Sequence, residues 1–146
     1  MVPQNDALGD RNRLVGWSLF LAGIISGMLL GLWAFDGPLH APERFAAYDG
    51  LPRRLLRLAH IAAMALGLTN IFFGHELPHV ALSRITRVIA SKAMIAGGIL
   101  MPLILTAAAL DDRFKYLLPI PATASLIAVA LVCAGLARGN KIRRVS

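Results

Sequence analysis

The run from Leu14 to Phe35 holds 22 residues without a charge, and nothing else in the chain restricts its fold as strongly. As a helix it rises about 33 Å, at 1.5 Å per residue, against a hydrocarbon core of roughly 30 Å. Two further runs match it in kind: Ala93 to Leu110 has 18 uncharged residues and Tyr116 to Ala137 has 22. Leu51 to Gly74, LPRRLLRLAHIAAMALGLTNIFFG, is also apolar for most of its length but carries strongly polar side chains inside it. Backbone in hydrocarbon must satisfy its own hydrogen bonds, so these runs specify an all-α, polytopic integral membrane protein, a bundle of four transmembrane helices. The expected spans are about 14–35, 53–73, 93–110 and 116–137, within a single domain 1–146 whose ends, 1–13 and 138–146, are polar tails.

Composition agrees. With 57% hydrophobic and 16% charged residues in 146 and a mean hydropathy of +0.65, the chain has no segment left for a soluble domain. The net charge of +7 comes from residues placed between apolar runs without interleaved aromatics, which suits anionic lipid headgroups and not nucleic acid. Cys133 is the only cysteine, so an intrachain disulfide and a cysteine metal cluster are excluded. Arg11 and Arg13 before an apolar run resemble a secretory signal, but signal cores are only about 7–15 residues, so the first span is expected to be retained. Four spans put both termini on one side, and that side collects nine of the 15 Lys and Arg residues. The expected placement is the cell (inner) membrane, multi-pass, with both termini cytoplasmic.

Two of the runs carry a stripe of small residues. Gly23, Gly27 and Gly31 in the first read GxxxGxxxG, which removes side chains from one face and lets another backbone approach. In the second, His60, Ala63, Gly67, Asn70 and Gly74 recur at intervals of 3, 4, 3 and 4, which places them on one face of one helix. Leu55, Leu58, Ile61, Leu66, Leu68, Phe72 and Phe73 take the other faces and suit lipid or a packed neighbour. The connections follow from punctuation: Pro38 and Pro42 break the long loop, APERFAAY suits one interfacial turn, and Pro52 opens the second helix. LSRITRVIASK puts Arg84, Arg87 and Ser91 on one face, as in a segment lying along the headgroups, and Pro102 predicts a kink in the third span.

His60 is the sharpest candidate for chemistry. It lies about two turns, roughly 10 Å, inside the second helix, where an ionisable side chain marks a functional site by default. A neutral imidazole there donates from one ring nitrogen and keeps the other to accept or ligate. Met28, Met64, Met101 and Thr123 fall at a similar depth, and His60, Met64 and Met101 are candidates for a soft metal, a haem axial position or a quinone contact. The plainer alternative is a single interhelical hydrogen bond from His60 to Thr123 or Ser125. His75 and His79 in HELPH match the HExxH spacing of zinc proteases, and could hold a surface metal. Pro78 departs from that pattern, because it disrupts the helix that must present both rings on one face. Asp36, His40 and Glu43 form a further oxygen and nitrogen cluster in the loop, which capping and solvation explain more cheaply. Asn70 suits a bond to a neighbouring helix, and Cys133 suits packing.

These features lead to three expectations. The first is a small four-span protein without evident enzymatic activity, a subunit or assembly component of a membrane complex or a homo-oligomer. An alternative is a haem-, quinone- or metal-binding redox module centred on His60. The other is an oligomeric channel or transporter.

Overall fold

The computed structural model describes residues 6–34 and 37–143. Four helices follow one another: α1 Asp6–Gly31, α2 Leu51–Glu76, α3 Arg84–Leu110 and α4 Pro119–Arg143. By length and hydropathy all four could cross a membrane. Short 3-10 turns at Glu43–Phe45 and Asp112–Leu117 fill two of the connections, and the first of them is the turn expected in APERFAAY.

The helix boundaries have local causes. Gly50 is extended ahead of α2, and Pro52 sits in its first turn, where a missing N–H costs nothing. Ser83 caps α3 by accepting from the Thr86 N–H at 3.2 Å. Pro119 opens α4 directly, as its fixed φ favours.

Two boundaries differ from the hydropathy reading. α1 begins at Asp6, so much of the expected N-terminal tail is helical; charge ends an apolar run, but Arg11 and Arg13 simply point outward. α3 is one continuous helix from Arg84, not an interfacial segment followed by a span, and it runs unbroken through Pro102. The Thr106 hydroxyl donates to the Pro102 carbonyl at 2.8 Å in that stretch. Ser91 does not share the surface of Arg84 and Arg87, for it is only 2% exposed and turns toward α1.

The helices pack in chain order, α1 on α2, α2 on α3 and α3 on α4, with a smaller contact between α1 and α3. Among the described residues α1 and α4 share no extended packed interface, so the bundle is open between them. One apolar cluster, with Phe73, Leu77, Val80 and Met94, lies toward the end of the bundle where α1 starts and α4 finishes, hereafter the terminal end. A second, with Leu55, Ala59, Leu105 and Ala108, lies at the opposite, loop end. Trp17, Leu21, Ile25 and Met28 of α1 are each at least half exposed. Such a face is costly in water and natural in lipid.

α1 and α2 are held by glycines in antiparallel register. Gly9 meets Gly74, and Gly16 meets Gly67, at separations where a Cβ on any of the four would run into the opposing backbone at 2.5 to 2.9 Å. Without a hydrophobic force between helices in lipid, van der Waals contact at such close approach is a main source of association. Further along, Gly23 faces Met64 and Gly27 faces the His60 ring, whereas Gly31 has open space beside it. Of the expected GxxxGxxxG face, Gly23 and Gly27 thus pack within the chain and Gly31 does not, because α1 ends there.

Candidate functional site

The α2 stripe does not present one uniform surface. Ala63, Gly67 and Asn70 are buried, and at the loop end of the stripe His60 stands over Gly27, which leaves room for its ring by having no side chain. His60 Nδ1 lies 2.7 Å from the Gly23 carbonyl oxygen. A carbonyl can only accept, so Nδ1 carries the proton and donates. In the neutral ring Nε2 then keeps its lone pair. Nε2 has no hydrogen-bond partner among the described residues, and it is not sealed from its surroundings.

Beside the ring is a cavity of about 400 Å³ between α1, α2 and α3. Its walls are apolar, from Leu19, Ala22, Leu30, Leu56, Ala59, Ile99 and Pro102, and Trp33 lines it as well. Leu29 and Leu103, 56% and 59% exposed, form a rim on the outer face of the bundle. Three polar side chains other than Trp33 touch it: His60, Ser26 and Thr106. A volume of this size, apolar with few polar groups, is typical of small-molecule sites, which are roughly 300–1,000 Å³.

Trp33 also borders a second, polar recess of about 450 Å³ in the loop, with His40 and Arg53. Arg53 is only 7% exposed. Its guanidinium donates to the Trp33 carbonyl at 2.5 Å and to the Phe45 and Ala46 carbonyls at 3.4 Å, and it lies 5.0 Å from the Tyr48 ring centroid. It thus satisfies the carbonyl of Trp33 just beyond the C-terminal end of α1, a group that helix geometry leaves unpaired. The Trp33 ring stacks on Phe45 at 6.0 Å.

At the terminal end the polar groups behave differently. Asn12 Nδ2 donates to Asn70 Oδ1 at 3.1 Å, and the Ser91 hydroxyl donates to Asn12 Oδ1 at 2.5 Å. Asn70 Nδ2 donates in turn to the Leu66 and Met94 carbonyls at 3.0 and 3.3 Å. All three side chains are buried, and together they tie α1, α2 and α3. Hydropathy places Asn12 in the polar tail and so gives no sign of its burial. Continuing the glycine stripe backward would have found it, since Gly9, Asn12 and Gly16 stand at intervals of 3 and 4.

The remaining candidates are not brought together with His60. Met64 packs against Gly23, and Met101 lines a separate groove with Leu58 and Leu105, so neither methionine shares the His60 cavity. Met28 is 70% exposed. The interhelical bond of His60 reaches Gly23, not Thr123 or Ser125; Ser125 instead lies against Gly97. α2 ends at Glu76, so His75 and His79 do not share a helical face, and His79 Nδ1 donates to the His75 carbonyl at 2.9 Å. Asp36 lies outside the described residues, His40 is exposed, and Glu43 opens the 3-10 turn. Among the described residues no three His, Cys, Asp or Glu side chains converge as a metal site would require.

No family model matches this chain, and neither a curated protein nor a solved structure is similar to it at a significant level.

Proposed function

We propose that this chain is a four-span integral protein of the cell (inner) membrane, both termini cytoplasmic, whose working part is the His60 cleft. The cleft takes a lipid-soluble small molecule of the quinone class, held by its apolar walls and oriented by one ring nitrogen. The observation that carries this is the pairing of an apolar cavity of about 400 Å³ with an imidazole nitrogen that has no partner among the described residues. Nε2 is open to its surroundings, so its lone pair is available to a donor carried by a ligand that enters the apolar cavity.

Binding of a short-tailed benzoquinone/benzoquinol couple to the detergent-purified protein tests the reading. Saturable binding is expected. Ala22→Phe, which fills the cleft from its lipid side, is expected to weaken it at least tenfold. Absence of saturable binding, or binding unchanged by Ala22→Phe, would overturn the proposal.

A role as subunit of a larger membrane assembly is the second reading, and what favours it is the open bundle, in which α1 and α4 leave each other unpaired. The glycine face no longer adds support, because Gly9, Gly16, Gly23 and Gly27 are engaged within the chain.

A further inference from the structure

The polar side chains in the body of the cleft share a property that none of them shows alone. His60 Nδ1 gives its proton to the Gly23 carbonyl at 2.7 Å, the Ser26 hydroxyl gives its proton to the same carbonyl at 2.9 Å, and the Thr106 hydroxyl donates to the Pro102 carbonyl at 2.8 Å. Each N–H or O–H is thus committed to backbone, and what each can still offer a ligand is a lone pair. Trp33 also lines the cleft and its indole N–H is a donor, but its ring lies past the end of α1 and is stacked on Phe45 at 6.0 Å, so acceptors from His60, Ser26 and Thr106 outnumber it in the lining.

From this we infer that the cleft selects the reduced, hydroxyl-bearing member of the couple, the quinol, over the quinone. The inference rests on the proposed cleft function and narrows its ligand. A quinol O–H donates to His60 Nε2; a quinone presents only carbonyl oxygens, and two acceptors facing each other in an apolar site leave both unsatisfied. Sites built for a hydrogen-bonding partner reject an analogue that lacks it strongly, because the buried polar groups are left unpaired. Gly27 is the positioning residue. A Cβ there would meet the His60 ring and move it off the Gly23 carbonyl, releasing the constraint that fixes which nitrogen bears the proton.

The test compares three probes of one shape on the wild-type protein under anaerobic conditions: a short-tailed benzoquinol, the matching quinone, and the di-O-methyl ether of the quinol. The quinol is expected to bind at least tenfold more tightly than either of the others. A tenfold preference raises the midpoint potential of the bound two-electron couple by about 30 mV. In His60→Leu the preference is expected to fall to near unity. Equal binding of quinol and ether, tighter binding of quinone, or a preference that survives His60→Leu would overturn the selectivity while leaving the cleft as a binding site. If no probe binds, the cleft function fails and the selectivity falls with it.

Discussion

The two halves of the α1–α2 interface are built from the same kinds of residue and end up with opposite properties. At the terminal half, Gly9 and Gly16 close onto Gly74 and Gly67, α3 covers the seam, and Asn12, Asn70 and Ser91 consume one another's hydrogen-bonding capacity. At the loop half, Gly23 and Gly27 meet larger partners, Met64 and His60, and a cleft lies between α1 and α3. The polar residue in the closed half has its partners inside the protein; the one in the open half keeps a lone pair for something else. A polar side chain within a span is therefore read by what is left over after packing, not by its presence.

The contrast can be broken first at its tightest point. Gly67→Val puts a branched side chain where even a Cβ would stand 2.8 Å from the Phe20 nitrogen and 2.9 Å from the Gly16 oxygen. Backbone cannot yield as a flexible side chain does, so a loss of about 3 kcal/mol or failure to fold is expected, read from unfolding in detergent. A stable, native-like Gly67→Val protein would show that the closed half is not held by backbone proximity.

The polar groups give a smaller effect that ranks the halves. Asn12→Ala leaves Asn70 Oδ1 and the Ser91 hydroxyl without their partners and is expected to cost about 1–2 kcal/mol. His60→Leu removes one bond to a helical carbonyl and is expected to cost under about 1 kcal/mol, since interhelical bonds in membranes average about 0.6. The opposite order in thermal unfolding would assign His60 a structural role and undo the contrast.

The smallest effect marks where the interface stops. Gly31 has nothing within 4 Å of where a Cβ would stand. Gly31→Ala is accordingly expected to shift stability by no more than about 0.5 kcal/mol, the usual range for a surface change. A loss comparable to that of Gly67→Val would mean that α1 continues its close contact beyond the described geometry.

Much of this was legible in the order of residues. The α2 stripe from His60 to Gly74 was plain from its spacing, and that stripe does face α1 through Gly67 and Gly74. The Pro52 start of α2 and the 3-10 turn within APERFAAY were plain as well. Asn12 and Ser91 were not, because hydropathy assigns polar residues near charges to the surface, while a helix rotates each residue by its own phase regardless of its neighbours. Met64 and Met101 were grouped with His60 by depth alone, and depth does not say which side of a helix faces which cavity.

The sequence alone determined that four apolar helices form and which faces of two of them are small, since periodicity and hydropathy are properties of a single segment. Only the tertiary structure decided that Gly9, Gly16 and Gly23 meet α2 and not another chain, that Asn12 reaches Asn70 across 58 positions, and that His60 spends one nitrogen on Gly23 and keeps the other. Those outcomes depend on how far apart the helices stand along their length, and separation between segments is written in no segment by itself.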